Sequence, residues 1–156
     1  MPRHEYLHEL HVSAAPAPED ESMRHPTPLD AEALAQLMLD AYLGTIDYEE
    51  ETIVEARDEV ARYFTGTPLL EHSRLRIADG EPVSACLVSH WGERGCPIVS
   101  YVMTAPAWKS RGLAAELLGQ SLESLAAAGR TKVRAVITEG NLPSEAVFGR
   151  AGFRRV

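Results

Sequence analysis

The sequence has few cysteines, an excess of acid over base and no long apolar run. Two cysteines, Cys86 and Cys96, occur among 156 residues, too few for a disulfide scaffold, which favours a reduced, cytoplasmic protein. Fifteen basic residues stand against 23 acidic ones, for a net charge of -8. Because phosphate contacts need a basic face, this balance argues against a nucleic-acid-binding protein. No apolar segment approaches the ~20 residues of a membrane span, and the first ten residues lack a secretory apolar core, so we expect no membrane association.

The overall composition of the chain is typical of one globular domain. Apolar residues make up 45% and charged residues 24%, and a chain of this length can form a core without a disulfide or a metal. The stretch before residue 29 is rich in proline and acid and shows no sustained hydrophobic period. We therefore predict an extended lead-in or linker over 1–28 and a folded domain over 29–156. Within the lead-in, residues 6–12 alternate loosely and predict a short edge strand.

Hydrophobic periodicity divides the rest of the chain into helices and strands. One helix is predicted to begin at the N-cap Asp30 and to end at Gly44, and a second to cover 50–64. Three strands follow, over residues 73–78, 83–89 and 98–104. After them come a helix over 111–128, a strand over 133–138 and a short helix over 143–151. This order predicts an α/β domain around one mixed sheet.

The turn between the third of these strands and the following helix suits a bound diphosphate. Residues 109–114 read Lys-Ser-Arg-Gly-Leu-Ala. The first-turn N–H groups of a helix have no internal partner and carry partial positive charge, and small residues let a diphosphate approach them. Lys109 and Arg111 add positive charge. An ordinary strand-to-helix turn with solvated basic residues fits the same pattern.

Together with the C-terminal segment, this turn resembles the GNAT superfamily of N-acetyltransferases. That family's acyl-CoA loop reads Gln/Arg-x-x-Gly-x-Gly/Ala, and residues 109–114 match it with Lys at the first position. Its C-terminal pattern, Asn-x-x-Ala/Ser-x-x-Leu-Tyr-x-x-x-Gly-Phe, is matched in register by Asn141, Ser144, Val147, Phe148, Gly152 and Phe153. The order of elements agrees as well, so the resemblance covers about residues 29–156.

The resemblance implies a GNAT-like fold in which two central strands splay apart, with acetyl-CoA as co-substrate and no metal. The pantetheine arm would lie between the splayed strands, and the diphosphate at the turn. The residues that the resemblance assigns to the cofactor are Val102, Met103, Thr104, Lys109, Ser110, Arg111, Gly112, Leu113, Ala114, Asn141, Ser144 and Phe148. The implied reaction is attack of a primary amine, on a small molecule or a peptide, on the acetyl thioester. The implied assembly is a homodimer.

Two departures from the family pattern bear on these expectations. The tyrosine proposed in the family to protonate the leaving thiolate is Phe148 here, which has no proton to give. The sequence also stops at Val156, where a sixth strand would begin, so we expect a truncated C-terminal edge, completed by a partner chain or absent from this sequence. The alternative function is therefore an acyl-CoA-binding regulatory module that is catalytically weak or inactive.

Candidate residues for catalysis and for acceptor binding lie outside the two motifs. Glu139, after the last predicted strand, is the nearest carboxylate for a base, although a solvated loop glutamate fits equally. Tyr101 carries a hydroxyl near the cleft; Ser100 would face the other way, so at most one of them should line the cleft. Between the first two helices, acid and aromatic rings suit a cationic amine. The acceptor candidates are Tyr42, Asp47 and Tyr48.

One further pattern points to a metal, and we set it aside. Residues 4–8 read His-Glu-Tyr-Leu-His, which matches the His-Glu-x-x-His pattern of zinc proteases. That chemistry needs both histidines on a supported helix and a third ligand nearby. Because this stretch precedes a proline-rich segment, we expect no metal site.

Overall fold

Seven strands form one sheet in the computed structural model, which describes residues 2–12 and 17–156. In chain order they are β1 (Arg3–Glu9), β2 (Met23–Arg24), β3 (Arg74–Ala78), β4 (Glu81–Trp91), β5 (Cys96–Thr104), β6 (Lys132–Thr138) and β7 (Arg154–Arg155). Their order across the sheet is β2-β3-β4-β5-β6-β1-β7. The β5–β6 pair is parallel and the others are antiparallel. The predicted α/β fold around one mixed sheet is confirmed.

Four helices cover the sheet on its two faces. They are α1 (Ala31–Tyr42), α2 (Ile53–Thr65), α3 (Leu113–Ala127) and α4 (Leu142–Ala151). Helices α1 and α2 share one core cluster with strands β3, β4 and β5, whereas α3 and α4 share another with β4, β5 and β6. The helix residues in both core clusters are the apolar residues that recur at helical spacing in the sequence. None of the described helices combines the length and the apolar character needed to cross a bilayer.

Helix α1 begins directly after Asp30, as predicted, but the Asp30 side chain makes no capping hydrogen bond to it. Asp30 ends a short 3-10 turn, and its backbone is already helical at φ -84° and ψ -1°. An N-cap residue typically has an extended backbone, so Asp30 stands at the N-cap position without the usual geometry. Its carboxylate accepts a hydrogen bond from the Thr27 N–H at 2.8 Å and two from the Arg24 guanidinium at 2.7 and 2.9 Å. The aspartate therefore ties the segment before α1 to strand β2.

We expect Asp30→Asn to destabilise the fold at pH 7 by about 2 kcal/mol, the scale of hydrogen bonds to charged groups. The Arg24 guanidinium, helped by Thr27, holds the pKa of Asp30 below its ordinary value. A carboxylate with a lowered folded-state pKa stabilises the fold above its ordinary pKa of about 4, and that contribution disappears as the pH falls through the folded value. Urea denaturation should therefore show the two proteins converging in acid. Asp40→Asn, at an exposed position on α1, is the control and should change little at either pH.

Strand β1 lies inside the sheet, whereas the sequence predicted an edge strand over 6–12. It pairs with β6 along its whole length, from Arg3 opposite Thr138 to Glu9 opposite Lys132. On its other side, β7 pairs with the centre of β1. The N-terminal strand thus occupies the place beside β6 for which we expected a partner chain or a missing segment.

The division of the chain at residue 28 stays a prediction, and residues 13–16 of the predicted linker lie outside the described residues.

The His-Glu-x-x-His stretch belongs to strand β1 and not to a helix. His4 Nδ1 accepts from Arg155 at 2.9 Å, and His8 Nδ1 lies 3.0 Å from the Gly152 carbonyl oxygen. In the part of the chain that the structure describes, no three His, Cys, Asp or Glu side chains are gathered as metal ligands. Both histidines therefore have contacts that attach the C-terminal segment to β1.

Candidate active site

Strands β5 and β6 separate half-way along β5. Two parallel pairs join them, Ile98 with Arg134 and Val99 with Ala135, and the described residues contain no further pair between these strands. The separation begins at a β-bulge: Val88 pairs with Val99 and Leu87 with Tyr101, so that residue 100 is left over on β5. A bulge bends its strand and disrupts pairing locally. The splayed strands that the sequence predicted are therefore confirmed.

The gap between the separated strands is part of a cleft of about 1660 Å³. Typical small-ligand pockets measure about 300–1,000 Å³, so this cleft, which extends beyond the gap itself, is larger than an ordinary ligand needs. Beyond Val99, the edge of β5 that faces β6 has no strand partner, which leaves its backbone groups free to bind an extended ligand. Val102, Met103 and Thr104, which the resemblance assigns to the cofactor, belong to this edge and line the cleft.

The bulge also affects the cleft wall formed by β5. Strict alternation along β5 would put only one of Ser100 and Tyr101 into the cleft, but both line it. The extra residue at the bulge interrupts the strict period of two at this point of β5. Ser100 donates to Ser89 Oγ at 2.9 Å, which leaves Tyr101 as the hydroxyl that faces the α1–α2 side.

The N-terminus of α3 forms one end of the cleft. Gly112 precedes the helix with a left-handed backbone (φ +79°), and no side chain caps the first turn. A Cβ built on Gly112 would meet nothing within 4 Å, so the approach to the first-turn N–H groups is open. The predicted residues that line this end are Lys109, Ser110, Gly112, Leu113 and Ala114. The geometry is that of an anion site at a helix N-terminus.

The two basic side chains of this turn each have a partner within the protein. Lys109 Nζ donates to the Ala41 carbonyl oxygen at 3.1 Å, near the end of α1. The Arg111 guanidinium stacks 4.5 Å from the centre of the Trp108 ring, and Arg111 is not among the residues that line the cleft. Backbone N–H groups and two positive side chains therefore all contribute to the potential at this turn.

Helix α4 forms the opposite wall. Asn141 caps it by accepting from the Ser144 N–H at 3.3 Å, and its side-chain amide donates to Asp47 at 2.7 Å. Ser144 and Phe148 line the cleft as predicted. Phe148 is 6% exposed and packs edge-on against Phe153 with ring centres 5.0 Å apart. The Asn141–Asp47 bond joins this wall to the segment between α1 and α2.

The segment between α1 and α2, together with the first turns of α2, makes the far side of the cleft acidic. Tyr42 and Asp47 line it as predicted, whereas Tyr48 is not among the lining residues. The carboxylates along this side are Asp47, Glu49, Glu51, Glu55, Asp58 and Glu59. Burial, and then the charges of Asp47 and Glu59, raise the pKa of Tyr42 above its ordinary value. The phenol therefore stays protonated while the surrounding wall is anionic.

Comparison with known proteins decides the family. The family model described as an acetyltransferase (GNAT) domain matches residues 22–154. The chain belongs to the GNAT acetyltransferases. No curated protein matches the sequence.

Solved GNAT structures share the fold at low sequence identity. The GCN5-related N-acetyltransferase from Sphaerobacter thermophilus is 18% identical with a TM-score of 0.72, over 99% of this chain and 48% of that one. This chain thus spans about half the length of that protein. A GNAT acetyltransferase from Brucella melitensis, solved with acetyl-CoA, is 20% identical (TM-score 0.64; 86% and 85% covered). The PaiA N-acetyltransferase from Thermoplasma acidophilum, solved with coenzyme A, is 16% identical (TM-score 0.65; 85% and 88% covered).

Within this GNAT domain, the predicted base lies outside the cleft. Glu139 is not among the lining residues; its carboxylate is 3.6 Å from His4 Nε2 and 3.9 Å from Arg155 Nη1. A base must come within hydrogen-bond reach of the proton it removes. Glu139 instead belongs to the ion pairs that attach β7 to β1, so we do not carry its catalytic role further.

A carboxylate that lines the GNAT cleft and contacts Tyr101 is Glu59, which sequence reasoning missed. The Tyr101 hydroxyl donates to one Glu59 oxygen, and the other oxygen is paired with Arg62. Glu59 and Tyr101 stand 42 residues apart in the chain. The one sequence signal was that Glu55, Asp58 and Glu59 share a face of α2, which does not say that this face borders a cleft.

Proposed function

We propose that the chain transfers the acetyl group of acetyl-CoA to a primary amine. The observation that carries the proposal is the separation of β5 from β6 beside an uncapped helix N-terminus. The diphosphate would be held by the N–H groups of residues 112–114, and the pantetheine amides by the free edge of β5 over 102–104, with Asn141 on the opposite wall. These residues fit the co-substrate because the β5 edge and the open face of Gly112 leave its path clear. The complexes of the Thermoplasma and Brucella proteins support the choice of ligand.

The acceptor in this proposal is a cationic amine on a small molecule or a peptide. Six carboxylates line the acceptor side of the cleft, and Arg62, which is paired with Glu59, lies among them. An anionic wall concentrates cations and slows the approach of anions. Tyr42 adds an aromatic ring to this wall, and such a ring also favours a cation.

Acetyl-CoA-dependent thiol release with a panel of amines tests this function. We expect release with polyamines, aminoglycosides or lysine peptides, and little with a zwitterionic amino acid. Raising the salt from about 0.05 to 0.5 M should lower kcat/KM for the polycationic acceptors several-fold, since salt screens exposed charges. The zwitterion serves as the control for general salt effects. Calorimetric binding of CoA without thiol release from any amine would contradict the proposal.

The second candidate is a CoA-binding regulatory module without turnover. Phe148 favours it, because α4 places a buried ring without a hydroxyl on the cleft wall. Both candidates bind CoA, so the amine panel separates them. The homodimer and the cytoplasmic location stay predictions; sedimentation equilibrium of the purified protein measures the first.

A further inference from the structure

Tyr101 and Glu59 meet at the closed end of the cleft. Tyr101 follows the bulge and lies two residues beyond Val99, the last residue of β5 that pairs with β6. Its hydroxyl donates to Glu59, which lies on α2, the helix that packs with α1 on one face of the sheet. Both side chains line the cleft. The pair thus lies where the two strands rejoin.

The reacting atoms should come to this same end. If the diphosphate lies at residues 112–114 and the pantetheine runs back along 104–102, the thioester reaches Tyr101 next. The acidic wall brings the acceptor amine there from the other side, since Glu55 and Asp58 border Glu59 on α2. Thioester and amine would therefore meet beside the Tyr101–Glu59 hydrogen bond.

Tyr101 is a weak acid that holds its proton at neutral pH, so it can give that proton away only as another proton reaches it. Burial and the bond to Glu59 raise the pKa of Tyr101, and Arg62 opposes this only weakly. Tyr42 on α1 is the neighbouring titratable group, and its pKa is also raised. The Tyr101 phenol therefore carries its proton at neutral pH, next to a carboxylate that can accept one. The opposite wall offers the Phe148 ring, which has no proton to donate.

We propose, on the basis of the proposed function, that Glu59 and Tyr101 act as a proton relay. Glu59 takes a proton from the acceptor ammonium, and the freed amine attacks the thioester carbonyl carbon, forming the C–N bond. As the C–S bond breaks, the electron pair leaves with sulfur, Tyr101 gives its proton to the thiolate, and Glu59 returns its proton to Tyr101. The second proton of the amine passes to solvent. The products are the amide and CoA thiol, and both residues end as they began.

Tyr101→Phe tests the acid. The variant keeps the ring in the α1–α2 core and removes the hydroxyl, so kcat should fall by about 100-fold, the lower range for general acid catalysis. The Kd for CoA and the KM for the acceptor identified in the amine panel should stay within about 2-fold. The matched control is Tyr63→Phe, which removes a buried hydroxyl bound to Ser73 and Val88, outside the cleft. It should keep its kcat.

Glu59→Gln tests the base and does not depend on the first variant. The amide oxygen of glutamine can still accept from Tyr101, but it cannot carry the proton, so kcat should again fall by about 100-fold. Because both residues serve one relay, the double variant should be no slower than the slower single variant. Glu32→Gln is the control, since Glu32 is also paired with an arginine, Arg57, but outside the cleft.

The possible outcomes separate the relay from the proposed function. Losses of kcat in both variants, without multiplication in the double variant, support the relay. Unchanged kcat in either variant, or losses confined to the acceptor KM, would overturn it while leaving acetyl transfer intact. If the wild-type protein binds CoA but acetylates no amine, the proposed function itself fails, and the relay with it.

Discussion

Replacing Gly112 by aspartate should raise the Kd for CoA at least about 100-fold. The new carboxylate would stand at the N-terminus of α3, where the diphosphate is proposed to bind, with open space around its Cβ. Two unit charges 4 Å apart repel by about 4 kcal/mol near a protein surface, and each 1.4 kcal/mol corresponds to a factor of ten in affinity. The carboxylate can also bind the first-turn N–H groups itself and so compete with the ligand.

Gly80→Asp controls for the backbone strain in this experiment. Gly80 sits in the β3–β4 hairpin at φ +78°, almost the φ of Gly112, and its Cβ would also meet nothing within 4 Å. Both variants place aspartate in a left-handed backbone, so both should lose similar stability, but only Gly112→Asp should lose CoA. Isothermal titration calorimetry measures the affinities, and thermal unfolding confirms that both variants fold. Wild-type affinity in Gly112→Asp would move the diphosphate site away from α3.

The positions of the residues proposed to hold the cofactor were predictable because their determinants are local. A contiguous turn carries Gly112, and one helix carries Asn141 and Phe148 at fixed spacing, so a single sequence shows their relation. All three line the cleft. Arg111 shows the limit of this approach, since a pattern gives a position but not a rotamer, and the cation–π contact with Trp108 turns its side chain away.

The proposed relay was predictable only in part, because distant segments build it: Tyr101 was a candidate from the sequence, whereas its partner Glu59 was not. Tyr101 lies on β5 and Glu59 on α2, and no periodicity links the two. The bulge after Val99 adds a second obstacle, since one unpaired residue interrupts the strict period of two along β5. Glu139 was chosen as a base for its nearness in sequence, yet the turn after β6 carries it toward Arg155 and His4.

Strand pairing is the other feature that local pattern leaves open. The alternation near the N-terminus predicts a strand, but a period of two does not tell which strands lie beside it. The structure pairs Arg3–Glu9 with a strand about 130 residues later in the chain. Helices, whose hydrogen bonds are local, were predicted to within a few residues, as for α3 (Leu113–Ala127) against 111–128.

The fragment 29–156, which the sequence predicts as the domain, should fail to fold cooperatively. It lacks strand β1, which forms seven residue pairs with β6 and also holds β7, as well as Leu10, which is buried in the α3–α4 core. At about 1 kcal/mol for each lost hydrogen bond, the loss is comparable with the roughly 5–15 kcal/mol that stabilises a whole domain. Circular dichroism and urea denaturation measure the effect. A synthetic peptide of residues 2–12 added in excess should restore part of the transition.

A pair of proline variants in the full chain tests the same strand without truncation. Leu7→Pro lies at the centre of β1, between β6 and β7, and should destabilise the fold by about 3 kcal/mol or more, because proline removes a ladder hydrogen bond and is excluded from interior strands. Val12→Pro lies beyond the strand at a residue that is 75% exposed, and should unfold at nearly the wild-type urea concentration. Equal stability of the two variants, together with a cooperative transition in 29–156, would mean that residues 1–28 are a lead-in and that the sheet holds without β1.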